Sequence, residues 1–342
     1  MKNVFTFLLL LFSLLCNGQS PKLFTTDKEL SSSLINQIYQ DRNGFIWIAT
    51  EDGLNRYDGA KFTIYKHEPN NEHSLAHNFV RTVFEDSKGH LLIGTYIGIQ
   101  MYDPATDNFT PLAKLEDTGE TLESNINSFI ERKNGEIWVS GNVLCKLDIK
   151  DHLLTVRKVD IAVTSPGSLF EDKKQNVWMA KGEEGVYQLT PDNQLTLHLS
   201  KDNGYVKSIC EDQRGNIYVG SIRKGLFIYD KERKTFVPID LKEKGELPVC
   251  FLYSGIPNEL YIGTDGKGVV IYNIRTHEIS EYKFDNNYFD SGNSKIHSIL
   301  KDNSGNLWLA VYQKGVILIP ARTNSFKLSL IHISEPTRPL YI

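Results

Sequence analysis

Asp41-Arg-Asn-Gly-Phe-Ile-Trp47-Ile is the stretch that decides the fold, because variants of it recur six more times along the chain. Its Asp-x-x-Gly start is typical of a tight hairpin turn, in which Asp bonds the backbone and Gly adopts a positive φ. Its apolar end is typical of a buried strand. The anchor residues of the seven copies, six places after the Asp position, are Trp47, Leu92, Trp138, Trp178, Tyr218, Tyr261 and Trp308.

Each copy belongs to a unit of about 44 residues that carries four strand signals. A short alternating run such as 35–39 precedes the turn, the anchor strand follows it, and a third run opens at a Gly such as Gly53. The third unit lacks this Gly. The fourth runs are centred on Phe62, Phe109, Val156, Leu197, Phe236 and Tyr282. The pattern predicts an all-β fold, a single seven-bladed β-propeller of four-stranded antiparallel blades over residues 19–327.

The most regular turn residues are interpreted as structural, and they are Asp41, Gly44, Asp86, Gly89, Asp212, Gly215, Asp302 and Gly305. Closing the ring would remove the exposed edge between the first and last blades. Residues 23–26 are therefore predicted to pair with the last blade. Residues 325–327 compete for the same place, because Phe326 follows Ile319 at the spacing that an outer strand requires.

Residues 1–18 are predicted to be a signal peptide. A short basic start precedes twelve uncharged, mostly apolar residues, which are too few to cross a bilayer. Cys16 and Gly18 are small residues at the −3 and −1 positions of a cut before Gln19. The alternative is a lipoprotein signal that uses Cys16, although Leu15 is bulky where such a site requires a small residue. The mature chain is therefore expected to be exported.

Residues 328–342 are expected to be non-native. They include Leu328-Ser-Leu-Ile-His-Ile-Ser-Glu-Pro-Thr-Arg338, which matches the translation of a common sequencing-library adaptor. We expect the native sequence to be interrupted near Lys327, and a natural linker is the alternative. This segment is excluded from the fold argument.

Composition favours neither nucleic-acid binding nor a metal centre. There are 38 Lys and Arg residues against 42 Asp and Glu, and the formal net charge is −4, whereas nucleic-acid binding usually requires a basic patch. Cys145, Cys210 and Cys250 are not spaced like metal ligands and are interpreted as small buried side chains. His73 and His77 lie four residues apart but lack the Glu of a metalloprotease motif. We expect no cofactor, metal or catalytic residue.

The unit Asp41-x-x-Gly44-x-x-Trp47-Ile-Ala-Thr50-x-Asp-Gly53-Leu-Asn-Arg-Tyr57-Asp-Gly59 resembles the two-component-regulator propeller repeat, and the resemblance covers about residues 22–327. In that family the repeats form the periplasmic sensor of hybrid two-component systems of Bacteroidetes. The resemblance implies an inner-membrane protein with a second seven-bladed propeller, a β-sandwich, a membrane helix, and cytoplasmic histidine kinase, receiver and AraC-type DNA-binding modules. It also implies a homodimer of the full-length receptor.

The same resemblance implies a role, namely sensing oligosaccharides released from a polysaccharide and controlling the genes that degrade it. This sequence holds one propeller and no kinase, receiver or helix-turn-helix motif, so the fragment itself is expected to be non-catalytic. Two alternatives remain open. One is a secreted carbohydrate-active enzyme, a hydrolase or lyase, which would require converging carboxylates or a Tyr or His base. The other is a structural or adhesive propeller.

Candidate ligand-binding residues come from the loops between the second and third strands. These loops vary from unit to unit, whereas the Asp-x-x-Gly turns do not, and function on a rigid scaffold tends to use variable loops. Aromatic faces can stack on sugar rings, and Arg can hold a carboxylate through two hydrogen bonds. The candidates are Tyr96, Arg223, Lys224, Asp265 and Tyr312.

Overall fold

A computed structural model describes residues 20–199, 204–241, 247–283, 290 and 292–321, so the predicted signal peptide and the predicted adaptor tail lie outside it. Within this part the regular secondary structure consists of 29 strands in seven small sheets. Each innermost strand lies beside the innermost strands of the two neighbouring sheets, and the last lies beside the first. The fold is therefore a seven-bladed β-propeller, as the repeat predicts. No helix of the described residues is long and apolar enough to cross a membrane.

The strands of each blade follow one another from the central channel outward. The innermost strands are β2 (Ile35–Gln40), β6 (Val80–Glu85), β11 (Ser128–Glu131), β15 (Leu169–Glu171), β19 (Val206–Glu211), β23 (Val249–Ile256) and β27 (Ile296–Lys301). The second strands are β3 (Ile46–Thr50), β7 (Leu91–Thr95), β12 (Ile137–Ser140), β16 (Val177–Lys181), β20 (Ile217–Ser221), β24 (Glu259–Thr264) and β28 (Leu307–Val311).

The outer half of each blade completes the antiparallel sheet. The third strands are β4 (Gly53–Tyr57), β8 (Ile99–Asp103), β13 (Leu144–Lys150), β17 (Gly185–Leu189), β21 (Gly225–Asp230), β25 (Val269–Asn273) and β29 (Gly315–Ile319). The outermost strands of blades 1 to 6 are β5 (Phe62–Tyr65), β9 (Asn108–Phe109), β14 (Leu153–Lys158), β18 (Leu195–Leu199), β22 (Thr235–Pro238) and β26 (Ile279–Glu281). Tyr282, a predicted strand centre, directly follows β26.

The anchor residues occupy equivalent positions in the second strands. These strands are buried on both faces because each lies between two neighbouring blades, and Trp47 is fully inaccessible to solvent. Each anchor pairs with the innermost-strand residue that lies two places before the Asp position of its unit. These partners are Tyr39, Phe84, Ile130, Phe170, Cys210, Tyr253 and Leu300.

The ring is closed by the first described strand of the chain. Strand β1 (Lys22–Phe24) pairs antiparallel with β29 and forms the outermost strand of blade 7. Phe24 is fully buried and stacks on Trp308, with ring centroids 5.8 Å apart. The predicted pairing is confirmed, although the strand ends at Phe24 because the chain then turns, with Leu30 N donating to the carbonyl of Thr25. The competing segment 325–327 lies outside the described residues.

Blade 3 differs from the four-stranded prediction by a fifth strand, β10 (Lys114–Leu115), which pairs parallel with the outer strand β14. The connection from blade 2 to blade 3 folds back on itself there, with Leu115 N donating to the carbonyl of Glu120. The next residue, Glu116, donates its backbone N–H to the carbonyl of Val156 in β14. The longer connection thus satisfies backbone groups at the outer edge of blade 3.

Candidate functional site

The Asp-x-x-Gly turns lie together on one face of the ring, which we call the turn face. In the first of them, Gly44 N donates to the carbonyl of Asp41 at 3.0 Å. The Asp41 carboxylate reaches further than turn chemistry requires, because its Oδ2 accepts a hydrogen bond from Trp47 Nε1 at 2.8 Å. The same bond joins Asp172 to Trp178 at 2.9 Å. The aspartates therefore satisfy buried indole N–H groups and are committed to the structure of the blade.

Blade 3 makes the same connection with different residues. Arg132 stands at the Asp position, and Trp138 Nε1 donates to Glu136 Oε2 at 3.0 Å instead. The Arg132 guanidinium lies 4.5 Å from the centroid of the Trp138 ring. Burial favours a raised pKa for Glu136, but hydrogen bonds from Lys146 and Trp138 outweigh it and lower the pKa to about 2. This carboxylate is therefore ionised and paired.

The turn face also joins neighbouring blades. Glu85 accepts a hydrogen bond from Arg42 N of the previous blade at 2.7 Å, and Glu171 accepts one from Lys133 N at 2.7 Å. A residue that precedes the Asp position provides the acceptor each time. Glu or Gln stands there in five units, at Gln40, Glu85, Glu131, Glu171 and Glu211. This recurring Glu is a signal from which the contacts between blades could have been predicted.

The opposite face, which we call the loop face, carries the loops between second and third strands and the entries to the innermost strands. Tyr96 N donates to the carbonyl of Phe79 at 3.0 Å, and Tyr312 N donates to that of Lys295 at 3.0 Å. Each variable loop is therefore held beside the residue that leads into an innermost strand, at the opening of the central channel.

Two of the predicted residues are brought together by a residue that the sequence reading missed. Lys295 Nζ lies 2.7 Å from the Asp265 carboxylate and 5.7 Å from the centroid of the Tyr312 ring. The Tyr312 ring is 4.9 Å from that of His297. These four residues of blades 6 and 7 form one polar and aromatic cluster on the loop face.

The other predicted residues lie elsewhere on the same face. Tyr96 is 54% exposed, and its ring centroid is 5.6 Å from that of His77. Arg223 pairs with Glu183 at 3.5 Å, with both side chains largely in solvent. Lys224 contributes a backbone N–H to Ser221 Oγ at 3.3 Å. The five candidates therefore share a face but fall into three separate groups.

A second set of residues occupies equivalent positions in the seven blades, and we call it the channel ring. Each member lies three residues before the innermost-strand residue that pairs with the anchor of its blade. Its members are Asn36, Arg81, Asn127, Gly167, Lys207, Cys250 and His297. Sequence reading missed them because they precede the recognisable motif and differ in residue type. Aligning the units on their anchors would have found them.

Electrostatic interactions link residues at or next to this ring that belong to blades that are not neighbours. Burial lowers the pKa of Arg81, and Tyr205 and Glu51 oppose that shift. Arg81 belongs to blade 2 and Tyr205 to blade 5, so at least two blades separate them around the ring, and they approach each other across its centre. Burial also lowers the pKa of His297 in blade 7, and Lys207 of blade 5 lowers it further.

The remaining chemical groups do not form a metal or thiol site in the described part of the chain. No three His, Cys, Asp or Glu residues there are arranged to hold a metal ion. Cys145 and Cys250 are buried, Cys210 is half-buried, and all three are free. Burial raises the pKa of the Cys145 and Cys250 thiols to about 11, so they are protonated at neutral pH.

A cavity of about 630 Å³ lies at the side of the ring between blades 2 and 3, away from the channel, with Gln100, Leu112 and Leu153 in its wall. The amide of Gln100 is fully used, because it accepts from Ala76 N and donates to the carbonyls of Ser74 and Thr110. Its polar group therefore fixes the connection between blades 1 and 2 and is not free for a ligand.

Comparisons with known proteins identify the repeat. Segments 29–52, 74–96 and 200–223 match the family model of the two component regulator propeller. Each runs from before an innermost strand to the loop after the second strand. A curated relative, histidine kinase P4 of Formosa agariphila, is 37% identical over 83 residues. That match covers 22% of this chain and 6% of the relative.

Solved structures share the fold. The extracellular domain of a hybrid two component system from B. thetaiotaomicron has a TM-score of 0.75 and 22% identity. The match covers 88% of this chain and 41% of that domain, so this chain spans less than half of it. A virginiamycin B lyase from Staphylococcus aureus has a TM-score of 0.66 and 12% identity over 87% of this chain and 98% of the lyase. At these identities the likeness concerns architecture.

Proposed function

We propose that this chain, whose repeats match the two component regulator propeller, is the ligand-sensing part of a hybrid two-component sensor and binds oligosaccharides without transforming them. The observation that carries the proposal is that the two faces of the propeller use their polar side chains differently. The turn face uses its carboxylates to bind indoles and neighbouring blades, whereas the loop face surrounds the channel with exposed aromatic and charged side chains.

An oligosaccharide fits the chemistry of the loop face. Tyr96 and Tyr312 are large aromatic side chains that remain 54% and 37% exposed, and they can stack on sugar rings. Arg223 and Lys224 of blade 5 and Asp265 of blade 6 can form hydrogen bonds with hydroxyl groups. Binding would signal by favouring one of two receptor states over the other.

The partners follow from the same proposal. Similarity to the B. thetaiotaomicron extracellular domain, of which this chain spans 41%, supports a periplasmic location and a second propeller in the full-length protein. The segment shared with histidine kinase P4 supports a kinase module downstream in that protein. We propose that the full-length receptor is anchored in the inner membrane, forms a homodimer and controls polysaccharide-utilisation genes.

Calorimetry with neutral and acidic oligosaccharides tests the proposal. We expect weak binding of at least one oligosaccharide, because a site shared with a second propeller would lose part of its contacts. Tyr312→Ala and Arg223→Ala are expected to weaken binding more than Asp212→Ala, whose folding is checked by thermal unfolding. Release of shortened or unsaturated products by the purified protein would show an enzyme instead. Binding that is unchanged by both loop variants would exclude the loop face.

A further inference from the structure

The channel ring has a charge opposite to that of the whole protein. Arg81 and Lys207 are cationic, His297 can become cationic, and the other four members of the ring are neutral. None of the seven positions carries a carboxylate, although the chain as a whole has a formal net charge of −4. The equivalent register of the innermost strands places these side chains at one level of the channel wall.

Within the described residues, the side chains of Arg81 and Lys207 have no ionic partner, whereas cations on the turn face of the propeller do. On the turn face, Arg42 lies 2.6 Å from Glu85 and Arg132 lies 2.9 Å from Glu171. No hydrogen bond or ion pair to the side chain of Arg81 or Lys207 is present in that part of the structure. Arg81 is half-buried and has the Phe79 ring 5.8 Å away as its neighbour. A partly buried guanidinium without a partner is unfavourable, so an anion that reached it would be stabilised.

The acidic side chains near the ring do not neutralise it. Asp265 is already paired with Lys295 at 2.7 Å. Glu51 influences Arg81 electrostatically but forms no ion pair with it in the described structure. Among the described residues, Arg81 and Lys207 therefore remain without an ion pair, near the aromatic side chains of Phe79 and Tyr205.

From this arrangement we infer that the ligand is an acidic oligosaccharide, whose carboxylate or sulfate groups bind to Arg81 and Lys207 of the channel ring. The inference rests on the proposed function and specifies the class of sugar. Arg81 can hold a carboxylate through two parallel hydrogen bonds, and Lys207 adds a point charge that suits either anion. Tyr205, which approaches Arg81 across the channel, offers a ring face for the sugar that carries the anion.

The test compares oligosaccharides that differ in charge at equal length. Trimers to hexamers of galacturonic acid, of guluronic acid and of a sulfated galactan are titrated calorimetrically beside neutral galactan and glucan oligomers. At least one acidic series is expected to bind at least tenfold more tightly than neutral oligomers of the same length. Its affinity should fall as salt rises, because the contact is ionic. Preference for the uronate or the sulfate series identifies the anion.

Variants distinguish a binding role from a structural one. Arg81→Met and Lys207→Met are each expected to weaken acidic binding about tenfold, equivalent to about 1.4 kcal/mol, and to leave neutral binding unchanged. Arg157→Met on the outer strand β14 is the matched loss of a cation and should change nothing. Arg81→Met should unfold at the same or a higher temperature without ligand, whereas loss of a structural residue would lower that temperature.

The two proposals fail in different ways. Tight binding of a neutral oligosaccharide, with the acidic series no better and Arg81→Met without effect, would overturn the acidic ligand and leave the oligosaccharide sensor standing. Absence of binding by every oligosaccharide in the panel would overturn both.

Discussion

Ser298 Oγ accepts a hydrogen bond from Ile38 N at 3.2 Å, which joins the innermost strands of blades 7 and 1 across 260 residues of sequence. Ser208 Oγ accepts from Leu252 N at 3.1 Å in the same way. Side chains near the starts of innermost strands therefore tie neighbouring blades together below the channel ring. They provide the rigid frame on which the residues of the loop face are held.

Removing this acceptor should destabilise the closed ring. Ser298→Ala leaves Ile38 N without a partner in a site from which water is excluded, so we expect the free energy of unfolding to fall by about 1–3 kcal/mol. Urea unfolding measures the change. Ser304→Ala, in an exposed turn of the same blade, is the control and should stay within about 0.5 kcal/mol of the wild type. Equal effects of the two substitutions would contradict the proposed role of Ser298.

The carboxylate beneath the anchor indole should matter more than its turn position indicates. Asp172 Oδ2 accepts from Trp178 Nε1 and Asn176 Nδ2, and Oδ1 accepts from two backbone N–H groups. Asp172→Ala leaves several buried donors without an acceptor. We therefore expect the free energy of unfolding, measured by chemical denaturation, to fall by about 2–4 kcal/mol. Asp192→Ala, at an exposed turn in the same blade, serves as the control. A loss below 1 kcal/mol would mean that the bond to Trp178 contributes little.

Closure by the first strand can be separated from core packing in general. Phe24→Ala removes a fully buried ring that contacts Trp308, Tyr57 and Phe62, and Phe236→Ala removes a comparable ring from blade 5. Both should lower stability by about 3–5 kcal/mol. Only Phe24→Ala should speed amide hydrogen exchange selectively in β29 and in blade 1, as followed by mass spectrometry. Uniform exchange across all blades would argue against a local role in closure.

The paired carboxylate of blade 3 predicts a pH dependence. Because the folded-state pKa of Glu136 is lowered to about 2, it contributes stability that is fully present above the unfolded pKa near 4.5 and is lost as the pH falls towards 2. Glu136→Gln should therefore destabilise the protein at pH 6, and the difference from wild type should shrink at pH 3. Urea unfolding at both pH values measures this. Glu123→Gln, an exposed control, should show no such convergence, and a difference that grows in acid would contradict the assignment.

The repeat determines most of the fold because its turn chemistry and alternation are local properties of sequence. The anchors, the order of strands and the closing strand near Phe24 all follow from spacing. Strand β10 could not be predicted, because its pairing depends on where a long connection happens to cross the edge of blade 3. Aligning the units on their anchors would have found the members of the channel ring, but not the interaction of Arg81 with Tyr205, because it arises only when blades distant in sequence surround a common axis.

Pairing of Lys22 with Leu318 determines the order of folding as well as the closed structure, because the two residues lie at opposite ends of the propeller sequence. The first strand can pair only when the last blade, about 300 residues further along the chain, is available for folding. Until then Phe24 lacks the ring of Trp308, and we expect blades that have already folded to form an open arc with apolar surface exposed at both ends. The form of this protein that is most prone to aggregation is therefore the open arc. We expect substitutions in the last blade to reduce the yield of folded protein more than equally destabilising substitutions in the middle blades.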